Sequence, residues 1–358
     1  MKKVISVFNN KGGVGKTTVT WNLGDSVASL GKKVLIIDFD PQCNLSIAML
    51  GEDIFRDYLP NQNSPYGLCI RAYLQRFLQN TSGEEVFLHK SAKSHENLHI
   101  IAGDFWLNVY GEQLSVGSDL LTGSGISKFI VLHRLIKSAE DKIGYEFDFV
   151  FLDLPPSFGA LVRAALYSSD YFLVPCTSDN FSAYCVGLIG QMLPKFVEEW
   201  NDGLKRFKET NPHFTDYDKL GHPIFGGWIF NGFDTAKKRN SLSDTKEMIL
   251  ADKTHFGRIK LAIQTDLIQV LRNKKDILTY DAVAVDVENG DAIGDIEDMN
   301  VLIQNSLWQN VPVSKLNTVK QITDLQARNA WAANQLDQIQ RLGIKFDELA
   351  KKTIQICV

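Results

Sequence analysis

Val4-Ile5-Ser6-Val7-Phe8-Asn9-Asn10-Lys11-Gly12-Gly13-Val14-Gly15-Lys16-Thr17-Thr18 is the stretch on which the fold turns. An apolar run, Val4 to Phe8, reads as a short buried strand. A glycine cluster follows at once, and a helical pattern then runs from Lys16 to Leu30, where Gly31 stops it. Glycines let backbone N–H groups turn inward around phosphate oxygens, where a Cβ would stand in the way. The helix N-terminus adds partial positive charge. Lys16 has the position to neutralise β- and γ-phosphates, Thr17 offers a hydroxyl to Mg²⁺, and Thr18 can bond an α-phosphate. The residues that would cradle a nucleotide are thus Lys11, Gly12, Gly13, Val14, Gly15, Lys16, Thr17 and Thr18. The common phosphate loop opens on a glycine. Here Asn10 holds that place and an additional lysine, Lys11, follows it.

Outward from this loop the same strand–helix alternation continues. Val34 to Ile37 is a second strand and ends on Asp38, in Asp38-Phe39-Asp40-Pro41-Gln42. Phe149 to Leu152, Tyr171 to Pro175, Ile224 to Phe230 and Ile259 to Ile263 read as further strands, with Leu98 to Ala102 a shorter candidate. Helical patterns fill the gaps, for example Ser127 to Ile143 and Phe181 to Trp200. The expected fold class is α/β, a doubly wound and mostly parallel sheet of the P-loop nucleotide-hydrolase kind. Asp153, closing the Phe149 to Leu152 run, is a candidate Mg²⁺ residue; alone it reads equally well as a strand-end turn residue. Asn231 follows the Ile224 to Phe230 strand, where its amide could read adenine or simply form an Asn-Gly turn with Gly232.

Two stretches fit the alternation poorly. Residues 52–97 read as an inserted set of helices and loops, and 305–358 as a helical C-terminal extension without strand signal. The expected organisation is therefore a nucleotide-binding domain over 1–304 and the extension over 305–358. Composition adds exclusions. The chain of 358 residues carries a formal net charge of −4, against a uniformly basic nucleic-acid protein. No apolar run approaches membrane-span length, and no leader pattern precedes the first strand. Five scattered cysteines without a CxxC pair read as reduced thiols, the pattern of a cytoplasmic protein.

Four segments in this order, KGGVGKTT, VLIIDFDPQCN, FDFVFLDLPPSFG and DYFLVPCTSD, resemble the ParA/Soj branch of the ParA/MinD deviant Walker A ATPases. The resemblance covers roughly residues 1 to 50 and 98 to 280. It implies ATP and Mg²⁺ as cofactors, ATP hydrolysis, and a homodimer that forms around ATP. It also implies a cargo-positioning role, usually plasmid or chromosome partition over the nucleoid, with a ParB-like or other adaptor stimulating hydrolysis. Carried onto this sequence, Lys11 matches the signature lysine that reaches the other subunit's phosphates. Asp40 matches the aspartate that orients the attacking water, which with Lys11 and Lys16 makes the catalytic set. Asp38 matches an aspartate near Mg²⁺, giving Thr17, Asp38 and Asp153 as the metal set. Asn231 matches the base-reading position. The family's proline-arginine element after the next strand is replaced by Ile263-Gln264-Thr265.

Charge is uneven along the chain. Residues 237–275 hold ten Lys/Arg and four acids, while 276–300 hold eight acids and no Lys/Arg. In the resembling family this part of the domain carries a sequence-independent DNA surface, so Lys237, Lys238, Arg239, Arg272, Lys274 and Lys275 are the candidate contacts to double-stranded DNA. The acidic stretch is then expected to face elsewhere. The alternative is two adjacent faces that pair with each other. Other functions of the superfamily stay open: a MinD-like membrane-cycling regulator, or an ATP-dependent biosynthetic enzyme. Leu342, Phe346 and Leu349 could form a membrane-binding tail, but Asp347 and Glu348 break its polar face and favour a packing helix.

Overall fold

The computed structural model describes residues 2–79, 84–117, 125–237, 246–274, 285–322 and 330–358. The first half runs β1 (Lys3–Val7), α1 (Lys16–Ser29), β2 (Val34–Asp38), α2 (Asn44–Leu50), α3 (Glu52–Tyr58), α4 (Arg71–Gln79), β3 (Leu98–Ile101), α5 (Leu107–Gly117), α6 (Ile126–Phe129), α7 (Val131–Ile143) and β4 (Phe149–Asp153). The second half runs α8 (Ala160–Tyr167), β5 (Tyr171–Thr177), α9 (Asn180–Thr210), β6 (Ile224–Phe233), β7 (Thr235–Lys237), β8 (Lys246–Met248), α10 (Leu250–Ala262), α11 (Gln269–Asn273), α12 (Val285–Glu288), β9 (Gly294–Glu297), α13 (Val301–Gln309) and α14 (Ala333–Ile356).

Seven strands form one sheet in the order β3-β2-β4-β1-β5-β6-β9, and each pairing is parallel. β2 and β4 are buried along their whole length, as expected for strands covered on both faces. One group of helices, α1 with α14, α2 and α13, packs together, and a second group joins α5 to α8, α8 to α9, and α9 to α10. The chain leaves β1 toward β2 on one side and returns to β5 on the other. The loop after β1 therefore sits where the strand order reverses, the crevice in which open α/β sheets bind ligands.

The inserted 52–97 segment holds two helices, α3 and α4, with loops around them, and Phe55, Ile70, Tyr73, Leu74 and Val86 join the main core. The C-terminal helix α14 is equally integrated. Leu342, Phe346 and Leu349 are fully buried, and the helix packs on α1 and β9. No helix among the described residues is long and apolar enough to cross a membrane.

One expected strand is helical. Ile259 to Ile263 forms the end of α10 and the start of a π-helical turn, Ile263–Ile268. Ile259, Ile263, Leu267 and Leu271 are buried at four-residue spacing, while Leu261 is 58% exposed, the signature of a helix face. The sheet position beside β6 belongs instead to β9, Gly294-Asp295-Ile296-Glu297, whose one buried residue is Ile296. An acidic edge strand with a single apolar residue carries almost no sequence signal. The element after that strand is therefore Asp298-Met299-Asn300, and Ile263-Gln264-Thr265 does not occupy the position assigned to it from sequence.

Candidate nucleotide site

The loop between β1 and α1 is held open for an anion. Gly13 and Gly15 adopt φ of +75° and +80°, in the left-handed region that favours glycine. A Cβ added at Gly13 would meet nothing within 4 Å, so the loop leaves a cradle on that side. The Lys16 ammonium curls back and donates to the Lys11 carbonyl at 2.9 Å. Lys16 is 7% exposed, and burial lowers its pKa against the opposing charges of Asp153 and Asp40. An ammonium so placed, bonded to a loop carbonyl beside the glycine turn, suits phosphate oxygens.

Parallel pairing brings the acidic residues together. Asp38 and Asp153 are cross-strand neighbours at the carboxyl ends of β2 and β4. Asp153 accepts from Thr17 Oγ1 at 2.8 Å. Asp38 accepts from the Ser46 N–H at 2.8 Å and its hydroxyl at 2.6 Å. Burial pushes both carboxyls up, Asp38 to about 7 and Asp153 to about 8, and for Asp153 the nearby Asp38 charge adds to it. Two buried carboxyls side by side, one of them bonded to the Thr17 hydroxyl, are a hard-oxygen donor set that fits Mg²⁺. Asp40 lies just beyond, 7% exposed, and accepts from the Gln42 N–H at 2.9 Å.

Lys11 is neither solvated nor extended. Its ammonium forms an ion pair with Asp179 and donates to Thr177 Oγ1 at 2.9 Å. Asp179 is also the N-cap of α9, accepting from the N–H groups of Phe181 and Ser182. Burial acts to raise its pKa, but the Lys11, Thr177 and Phe181 hydrogen bonds outweigh that and hold it at about 2. Asp179 was not singled out from sequence as a site residue. The available signal was Thr177-Ser178-Asp179 between a strand end and an apolar helix, a cap pattern. Ser46 was missed as well, and nothing local marks it.

Asn231 reaches the loop too. It lies within β6 rather than after it, and its Nδ2 donates to the Val14 carbonyl at 3.0 Å. The structure thus brings together Lys11, Lys16, Thr17, Asp38, Asp40, Asp153 and Asn231.

Of the basic residues assigned to DNA, the two whose side chains are described, Arg272 and Lys274, each face an acid. Lys238, Arg239 and Lys275 lie outside the described residues, and of Lys237 only the backbone, in β7, is described. Lys274 pairs with Glu198 at 2.6 Å and Arg272 with Glu288 at 3.7 Å. Lys260 pairs with Asp291. Within the described part of the acidic 276–300 stretch, two acids do not face away as expected. Glu288 and Asp291 meet the basic segment, because α12 and the turn before β9 lie beside α10 and α11.

A family model described as an AAA domain (AAA_31) matches residues 2–206. The sporulation initiation inhibitor protein Soj of Bacillus subtilis is 29% identical over 182 residues, 51% of this chain and 61% of Soj. The virulence plasmid ParA family protein pGP5-D of Chlamydia psittaci is 26% identical over 310 residues, 86% of this chain and 96% of that protein. The chain spans 63% and 61% of the first two curated relatives it matches, a Methanocaldococcus jannaschii protein and Soj. Among solved structures, a Cyanothece McdA variant in complex with ATP superposes with a TM-score of 0.57 at 18% identity, over 99% of this chain and 97% of that one. With its phosphate loop, its paired acids and this match over more than half its length, the chain belongs to the AAA domain family, as a ParA/Soj-type P-loop ATPase.

Proposed function

We propose that this chain is an ATP-dependent switch that dimerises around ATP, hydrolyses it to ADP and phosphate, and so positions DNA or another cargo in the cytoplasm over the nucleoid. The observation that carries the reading is the convergence of Lys16, Thr17, Asp38, Asp40 and Asp153 at the carboxyl ends of three adjacent strands. The similarity to partition proteins such as Soj and pGP5-D supports it.

Each residue then has a definite task. The N–H groups of Gly12 to Lys16 and the Lys16 ammonium bind the phosphates. Thr17, Asp38 and Asp153 hold Mg²⁺, which neutralises charge on the phosphate oxygens when bound. Asp40 orients the attacking water. Lys11 acts on the partner subunit's phosphates as a finger in trans, and to do so it must leave Asp179. That exchange makes closure of the dimer depend on the triphosphate, since only phosphate charge replaces the lost carboxylate. A ParB-like adaptor would favour the closed arrangement.

The DNA contact in this reading falls on Lys237, Lys238, Arg239 and Lys275, because Arg272 and Lys274 already face acids. A membrane track is disfavoured by α14, which buries Leu342, Phe346 and Leu349. The deciding test uses Asp40→Ala with ATP or ADP on a sizing column. The expected result is a dimer with ATP and a monomer with ADP; equal elution would overturn the switch.

A further inference from the structure

We propose that Ser46 is a positioning residue for the cation site, one that fixes the Asp38 carboxylate by one oxygen and leaves the other to serve Mg²⁺ or a water on it. The inference deepens the nucleotide-site reading and rests on it.

The chain after β2 turns back on its own last residue. Asp38 closes β2, and Ser46 lies in α2, eight positions further on. Ser46 gives Asp38 two bonds, and both fall on Oδ2: the N–H at 2.8 Å and the hydroxyl at 2.6 Å. Oδ1 accepts from the Asp40 N–H at 3.3 Å, a longer contact. Two short bonds to a single oxygen set both the place and the rotation of a carboxylate. Oδ1 is then the oxygen with lone pairs to spare.

The Ser46 hydroxyl is itself held. The Gly103 N–H donates to Ser46 Oγ at 2.8 Å. A hydroxyl carries one proton, and with Gly103 donating to its oxygen that proton is given to Asp38. Each bond in such a chain, from N–H to O–H to carboxylate, polarises the next. The sheet brings Gly103 to this place. Ile37 of β2 and Ile101 of β3 are partners in register, so the residues just past them lie side by side. A Cβ on Gly103 would stand 3.0 Å from Asp38 Cγ and 3.1 Å from the Asp38 carbonyl oxygen, so a side chain there would press on the carboxylate. Ser46 and Asp38 are both fully buried, which keeps bulk solvent from competing for these bonds. Ser46 thus acts through Asp38. Loss of an outer partner of this kind lowers metal affinity by about 10–100-fold.

The test separates the cation from the phosphates. Calorimetry would follow ATP binding to the unsubstituted chain, Ser46→Ala and Ser46→Thr, first in EDTA and then across a Mg²⁺ series. If Ser46 positions Asp38, Ser46→Ala binds ATP in EDTA as the unsubstituted chain does. The Mg²⁺ concentration that gives half of the Mg²⁺-dependent gain then rises by about 10–100-fold. Ser46→Thr keeps the hydroxyl and should recover most of that loss. A purely structural serine would lower the melting temperature and leave the Mg²⁺ dependence where it was, and that result would overturn the proposal. Equal loss of ATP affinity in EDTA and in Mg²⁺ would also overturn it, since the damage would then lie in the phosphate loop. Gly103→Ala reaches the same carboxylate from the other side and serves if Ser46→Ala does not fold. Its Mg²⁺ dependence should shift in the same direction, and an unmoved one would count against the clamp. An unsubstituted chain that binds ATP neither in EDTA nor with Mg²⁺ would instead strike the nucleotide reading itself.

Discussion

Lys16 shows how much of the site's chemistry rests on one side chain. It is buried against two carboxylates, and its only loop partner is a backbone carbonyl. Lys16→Ala should abolish measurable Mg-ATP binding in calorimetry, because the phosphates lose their main counter-charge; unchanged affinity would refute the site. Lys11 and Asp179 support a second prediction. The Asp179 carboxyl sits at about 2, below the ordinary 3.8. A depressed folded-state value means stabilisation that is present above the unfolded pKa and lost as pH falls through the folded one. The difference in urea midpoint between the unsubstituted chain and Asp179→Asn should therefore be constant above pH ~4 and shrink toward pH ~2. The pair is partly exposed, so salt should weaken the effect as well. Lys11→Ala should lower hydrolysis by about 10³-fold if the lysine acts in trans, with Mg-ATP binding to the monomer largely kept.

Among the elements, α14 carries more of the core than a C-terminal extension would suggest. Its apolar stripe is closed over by α1 and β9, and polar ties reinforce the contact nearby. Asp25 of α1, 1% exposed, pairs with Lys315 at 2.7 Å, and Asn22 of α1 accepts from the Val313 N–H at 2.8 Å. Because α1 begins at the phosphate loop, this packing supports the helix whose N-terminus faces the nucleotide. Phe346→Ala should cost about 3–5 kcal/mol in denaturant unfolding. A loss under about 1 kcal/mol would mean that α14 is a separable appendage, as the 305–358 boundary suggests, whereas full burial means a core residue. The strand misreading at Ile259 to Ile263 belongs to this scale too. Five residues of mixed character fit either period, and only the partners on α9 decide in favour of the helix. Gly190 of α9 meets the backbone of Asp266 directly, which a side chain there would prevent.

For the whole molecule, the proposed DNA contact is a matter of how many phosphates the proposed dimer would reach. With about three phosphate contacts from each subunit, log K should fall against log salt with a slope of roughly −5. Replacing Lys237, Lys238 and Arg239 by alanine should flatten that slope and leave hydrolysis nearly intact. Arg272→Ala and Lys274→Ala should change it much less, since both cations already face acids. A gel-shift series with Asp40→Ala in ATP checks this, and no shift at low salt on any duplex would move the track to a protein surface.

By itself the sequence determined the β1–loop–α1 unit, the second and fourth strands in their sheet, and the acids at their ends. Those features are local: glycine conformational freedom, a helix start and short apolar runs leave their mark within a few consecutive residues. Only the tertiary structure decided what lies across the site. Asp179 meets Lys11 from 168 positions away and Asn231 meets Val14 from 217 positions away. Neither approach is written in any one segment, because each depends on parallel strands aligning their carboxyl ends. The same holds for the charges. Ten Lys/Arg in a stretch predict an open basic face only until the fold lays Glu288 and Asp291 against it, and Coulomb attraction between neighbours acts on distance in space, not along the chain.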